Sequence, residues 1–173
     1  MEIIMRNVSA GVVAIIAGVL VVVLGVINFG QRLHQPRYQV PGRAYLVTKT
    51  TPGSQPSKNY YVFGKNRDEG QLVVTPDKRI AKRAMKSSDN FKQEYKSQSQ
   101  QHDQIVGTIW TYEVGHHNLL VESAPAGQPQ NKAKNFGSNK VSFKHGKSVG
   151  HIKAYDRVGQ QEEKITMKRV NLK

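Results

Sequence analysis

Residues 7–31, NVSAGVVAIIAGVLVVVLGVINFGQ, contain no ionisable side chain, and no other feature so limits what this chain can fold into. As a helix, residues 8–29 measure about 33 Å at 1.5 Å per residue, enough to cross a hydrocarbon core of about 30 Å. A helix that is apolar on every face is hard to cover inside one small domain, so the stretch reads as a single transmembrane anchor. Its exit, Gly25-Val26-Ile27-Asn28-Phe29-Gly30, lacks the small-x-small spacing of a cleavage site, and the anchor is expected to stay on the protein.

On a helical wheel, Ala10, Gly11, Ala14, Ala17, Gly18 and Gly25 share an arc of about 120°, with Asn28 on the same side. Small residues on one face let backbones approach closely in lipid, so this face is the candidate for helix–helix association, with a second copy or another span. Orientation is contested. Arg32, Arg37, Arg43 and Lys49 follow the span, against Arg6 offset by Glu2 before it, and that count favours a cytoplasmic carboxyl-terminal domain. Long domains, however, translocate largely regardless of charge, and a short head with one uncleaved span and a compact strand-rich domain is expected to be exported.

The chain has 173 residues, which leaves room for one further domain, and its formal charge of +14 belongs wholly to that part because Glu2 and Arg6 cancel. Such a charge points to anionic partners: lipid headgroups, a wall polymer or, less favoured, nucleic acid. There is no cysteine, which excludes disulfides, thiolate nucleophiles and thiolate metal sites.

Residues 31–42, with Pro36 and Pro41, read as an extended juxtamembrane linker. Short strands are expected over 43–50, 59–64 and 71–75, forming a meander. Thr75-Pro76-Asp77 is a helix-start signal, with the Thr75 hydroxyl expected to serve the first free amides and the Asp77 carboxylate the positive dipole end; an apolar face of Ile80, Ala81, Ala84 and Met85 and a basic face of Lys78, Arg79, Lys82, Arg83 and Lys86 follow. Residues 87–101 are polar and without an apolar face, so they read as a loop or frayed helix. Residues 104–114 give the strongest strand signal, with Trp110 expected in the core, and Gly115-His116-His117-Asn118 is expected to turn it into a strand over 118–123. Residues 124–138 have the composition of a surface loop, 140–143 and 148–155 should pair around His145-Gly146, and 164–172 should close the domain.

The chain is therefore expected to be mainly β: a transmembrane anchor (1–30), a juxtamembrane linker (31–42) and a basic domain (43–173). That domain should be a small antiparallel β-barrel or sandwich of about eight short strands with one short helix.

No constellation of catalytic residues emerges, and no cofactor or metal is implied. Gly146-Lys147-Ser148 has Val141 where a phosphate-binding loop needs glycine. Ser88-Asp89-Asn90 has no Ser-x-x-Lys to accompany it. His116 and His117 are adjacent and would diverge on a strand, whereas His145 and His151 sit across an expected hairpin with no nearby carboxylate, a weak donor set for zinc. The distinctive feature is an acid-free stretch between Glu122 and Asp156 that holds Lys132, Lys134, Lys140, Lys144, Lys147 and Lys153, interleaved with Phe136, Phe143 and Tyr155. Together with the basic helix face, these lysines form the candidate anion-binding set. The expected protein is a bacterial-type single-pass membrane protein, non-catalytic, whose basic domain contacts anionic lipid, wall polymer or a protein partner. A cytoplasmic-facing nucleic-acid-binding domain is the alternative.

Overall fold

The computed structural model describes residues 15, 17–24, 30, 32–65, 70–100, 106–150, 152–154 and 164–172. The chain divides into two compact units, Met1–Leu33 and His34–Lys173. In the first, residues 15 and 17–24 are helical, and their apolar side chains from Ile15 to Leu24 are exposed. Among the described residues no helix is long and apolar enough to cross a membrane. Most of the expected span, including Ala10, Gly11, Ala14 and Gly25 of its small-residue face, lies outside them.

The second unit begins with a one-turn helix α1 (Pro36–Gln39), followed by strands β1 (Ala44–Thr50), β2 (Ser57–Phe63) and β3 (Gly70–Thr75). Helices α2 (Lys78–Lys86) and α3 (Ser88–Ser99) come next. The remaining strands are β4 (Thr108–Val114), β5 (Leu119–Pro125), β6 (Ala133–Ser138), β7 (Ser142–Lys144), β8 (Lys147–Val149), β9 (Ile152–Ala154) and β10 (Lys164–Val170). All ten form one curled antiparallel sheet, a half-barrel in form, in the order β1-β2-β3-β4-β5-β6-β9-β10-β8-β7. β1 is paired along both edges, by β2 and by β10.

Strand alternation sorts the side chains. Tyr45, Val47, Tyr61, Phe63, Leu72, Tyr112, Phe143, Ile165 and Met167 point into the curl and form the main core. Its centre is aromatic: Phe63 packs edge-on against Tyr112 at 4.9 Å between ring centroids and against Tyr45 at 5.9 Å, and Phe143 lies 5.3 Å from Tyr45. Two of the buried phenols find a backbone acceptor, Tyr45 donating to Gln39 O at 2.8 Å and Tyr112 to Gly64 O at 2.6 Å. The Tyr112 ring occupies the space a side chain on Gly70 would need, so glycine there is a packing requirement. On the outer side of β1–β3 a smaller core of Ala44, Val62, Val73, Ala81, Ala84 and Leu172 seats α2. Among the described residues both cores draw only on residues 40–172, so the second unit has an interior of its own.

Four expectations are corrected. The linker is not simply extended: α1 leads into a fully buried Val40, and Arg37 N donates to Gly115 O (3.1 Å) while Phe143 N donates to His34 O (2.8 Å). The helix-start residue is Asp77, whose Oδ1 accepts from Arg79 N at 2.7 Å, while Thr75 Oγ1 accepts from Asp77 N at 3.0 Å. Residues 124–138 hold β6, which pairs with β5 across a bulge at Val121/Glu122 and buries Phe136. Strand 148–155 is broken at Gly150 (φ 111°), where an added Cβ would strike the Lys140 carbonyl.

The polar run after Lys86 is α3 because its ends and its glutamine are used. Ser87 Oγ accepts from Asn90 N at 3.1 Å, and Phe91 stacks on Tyr95 one turn along. Among the described residues β3 pairs with β4 only at Gly70 and Gln71. Beyond that point Gln98 stands in for the missing strand: its amide donates to Leu72 O at 2.5 Å and accepts from Val74 N at 3.0 Å. Gln98→Ala leaves both backbone groups without these partners; a loss of about 2 kcal/mol in urea unfolding and faster amide exchange at Val74 are expected. Val74 exchange at the wild-type rate would show that Gln98 does not guard that edge.

Burial pushes the Tyr45 and Tyr61 hydroxyls from an ordinary 10 up to about 12, and raises Tyr112 as well. The folded pKa lies above the unfolded one, so the tyrosine-linked stability is complete below pH 10 and is lost as pH rises towards 12. The urea midpoint is expected to stay level up to that point and then fall, with tyrosinate absorbance appearing together with unfolding. Tyrosinate appearing in the folded protein near pH 10 would contradict it.

Candidate anion-binding face

Phe143 determines where the lysines of the acid-free stretch go. It is buried against Tyr45, which turns its neighbour Lys144 to the outside. His145 (φ 49°) and Gly146 (φ 73°) both take the left-handed conformation of a two-residue hairpin turn, so β8 returns with Lys147 directly opposite Lys144. Lys147 is in turn opposite Lys168 of β10, where buried Ile165 and Met167 leave Lys164 and Lys168 outward. Ser148 Oγ accepts from Met167 N at 3.0 Å, and Arg169 N donates to Gly146 O at 2.6 Å, which locks the hairpin in this register.

The result is a row of three exposed lysines, Lys144, Lys147 and Lys168, side by side across three strands. A second like-charge register position follows on the same sheet, Lys153 opposite Lys164. Ion pairs join Arg79 to Asp77 and Arg83 to Glu94, and among the described residues no carboxylate pairs with this row. Directly opposed like charges destabilise a sheet, so the row costs the folded protein stability in water.

The basic face of α2 lies close by. In register, Lys168 faces Leu46 of β1 and Leu46 faces Tyr60 of β2; Tyr60 packs into the small core beneath Ala81 and Ala84. Two strand spacings separate Lys168 from Tyr60, about 10 Å. On α2 itself Lys78, Arg79, Lys82, Arg83 and Lys86 are all exposed. Arg79 is bonded to Asp77 (3.1 Å), whose carboxyl these bonds hold below its ordinary value. Arg83 is bonded to Glu94 (2.6 Å), which raises the guanidinium pKa and ties α2 to α3. Lys78, Lys82 and Lys86 succeed one another at one-turn intervals with no carboxylate in ion-pairing reach among the described residues.

The expected set thus separates. Lys144 and Lys147 stand in the row with Lys168, whose register partner Leu46 lies on the side of the sheet that seats α2. Lys132 and Lys134 lie at β6, where Lys134 stands opposite Glu122, and Lys140 is in the turn before β7. Lys153 is placed by its backbone register alone. Lys164 and Lys168 were missed by the sequence reading, although the alternation of KITMKRV puts them on the polar parity opposite Ile165 and Met167. Phe136 and Phe143 are buried and offer no stacking surface; Tyr155 and His151 lie outside the described residues. Trp110 is half-buried at the edge of the main core, edge-on to Tyr61.

His116 and His117 are both exposed, and His116 is bracketed by Gln35 Oε1 (3.0 Å) and Arg37 (3.1 Å). Among the described residues no group of three metal-ligating side chains converges. Gly146-Lys147-Ser148 lies in the β7–β8 hairpin. Compared with protein-family models, curated proteins and solved structures, the chain matches none.

The row has a consequence that needs no ligand. Lys147→Glu places an acid between Lys144 and Lys168 and is expected to stabilise the protein by about 0.5–1 kcal/mol at low salt, a gain that fades in high salt. Urea midpoints across a salt series measure it; a destabilised variant at low salt would mean that the three charges do not repel.

Proposed function

We propose that the protein is a bacterial-type, single-pass, non-catalytic interaction protein whose basic β domain, held outside the cytoplasm, contacts an anionic surface of the cell envelope, lipid headgroups or wall polymer. The observation that carries this reading is the Lys144–Lys147–Lys168 row. Three cations pressed together without an acid lower stability, and an anionic surface turns that repulsion into attraction worth about 1 kcal/mol per cation near the surface. The neighbouring α2 cations enlarge the same face. Support for the anchor is the exposure of Ile15 and of the Val and Leu side chains of residues 19–24, an apolar surface that calls for lipid or a partner helix.

A fragment of residues 34–173 should bind phosphatidylglycerol-containing vesicles and polyphosphate, with affinity falling steeply as salt rises. The combined change Lys144→Glu, Lys147→Glu and Lys168→Glu should weaken both by about a hundredfold or more, at about 1 kcal/mol per cation. Binding undiminished by that change would sink the proposal. On spheroplasts, external protease should digest the domain. Protection, together with tighter binding to single-stranded DNA than to polyphosphate of equal charge, would instead favour the cytoplasmic nucleic-acid-binding alternative.

A further inference from the structure

Between α2 and the chain following β10 there is a shallow cup of about 540 Å³, lined by Arg79, Lys82, Arg83, Met85, Lys86 and Leu172. Four cations ring a floor made of a half-buried methionine and a buried leucine, and among the described residues no acid lines it. A neighbouring groove of about 350 Å³ shares Met85 and Lys86 and continues the apolar floor past Ala84 and Phe91.

We propose that this cup seats an anionic phospholipid of the bilayer surface, the headgroup phosphate on Lys82 and Lys86 and the glycerol and upper acyl portion over Met85 and Leu172. The proposal rests on the anionic-surface reading above and names its partner. Two of the four cations are already engaged, Arg79 by Asp77 and Arg83 by Glu94, which leaves Lys82 and Lys86 for an incoming anion. Those two lysines stand one turn apart on one helix face, an arrangement that is repulsive until an anion bridges it. Charge alone would serve a wall polymer or a nucleic acid, neither of which has a hydrocarbon chain to set over Met85 and Leu172. An amphiphile with a negative head and a hydrocarbon body matches both halves of the cup, and its volume falls within the range of about 300–1,000 Å³ usual for small-molecule sites.

The test uses the 34–173 fragment, vesicles of phosphatidylcholine with or without phosphatidylglycerol, and polyphosphate as an anion with no apolar part. Met85→Gln keeps every charge and is expected to weaken binding to phosphatidylglycerol vesicles about threefold to tenfold while leaving polyphosphate binding unchanged. Lys82→Glu with Lys86→Glu lies on the surface, spares the fold and is expected to cost vesicle binding about thirtyfold or more. Met85→Gln binding the vesicles as wild type does would overturn the cup while the basic-face reading stood. Equal losses on vesicles and polyphosphate would likewise assign Met85 a purely structural role. Wild-type fragment that binds neither probe would overturn both readings together.

Discussion

The aromatic column inside the curled sheet is the constraint from which the rest of the domain follows. Tyr45, Phe63, Tyr112 and Phe143 come from four different strands and meet in one interior. A strand exposes its two faces alternately, so committing one residue of each strand to that interior commits its neighbours to the outside. Phe143 inward means Lys144 outward, and Met167 inward means Lys168 outward. The lysine row is therefore a by-product of interior packing that the outer surface has kept, and kept, among the described residues, without an acid to offset it.

The outside of the sheet is divided by what covers it. Over β1–β3 the outward residues are Ala44, Val62 and Val73, small or branched and apolar, and α2 lies on them through Ala81 and Ala84. Over β7, β8 and β10 the outward residues at the row are lysines, which stay in solvent. Leu172 sits at the boundary, buried in the small core and forming part of the floor of the cup beside α2. The molecule thus presents cations from three strands and from α2, together with an apolar depression beside that helix. That combination suits an interface with an anionic, partly apolar boundary better than one with a freely dissolved anion.

Much of this was legible in the order of residues. Strand alternation located β1, β3, β4 and β10, the Gly115-His116-His117-Asn118 turn was recognisable, and Thr75-Pro76-Asp77 announced α2. Three features were not. β6 is built from a segment whose glycine, proline and asparagine content resembles a loop, and only the edge offered by β5 and the burial of Phe136 make it a strand. α3 has little helical patterning; it is held by its Ser87 cap and by what Gln98 does for a strand edge more than twenty residues earlier in the chain. Lys164 and Lys168 were visible as charges, but nothing local says that they stand beside Lys147.

By itself the sequence determined the apolar run of residues 7–31, the excess of positive charge in the remainder, the mainly β character and the amphipathic division of α2. These depend on composition and on short-range periodicity, which act through contacts within a few residues. Which lysines share a face, which carbonyls needed Gln98 and where Met85 meets Leu172 were decided only by the tertiary structure. Each of these follows from strand register and helix docking between segments far apart in the chain. Register is chosen by the packing of the whole interior, and no local stretch contains that information.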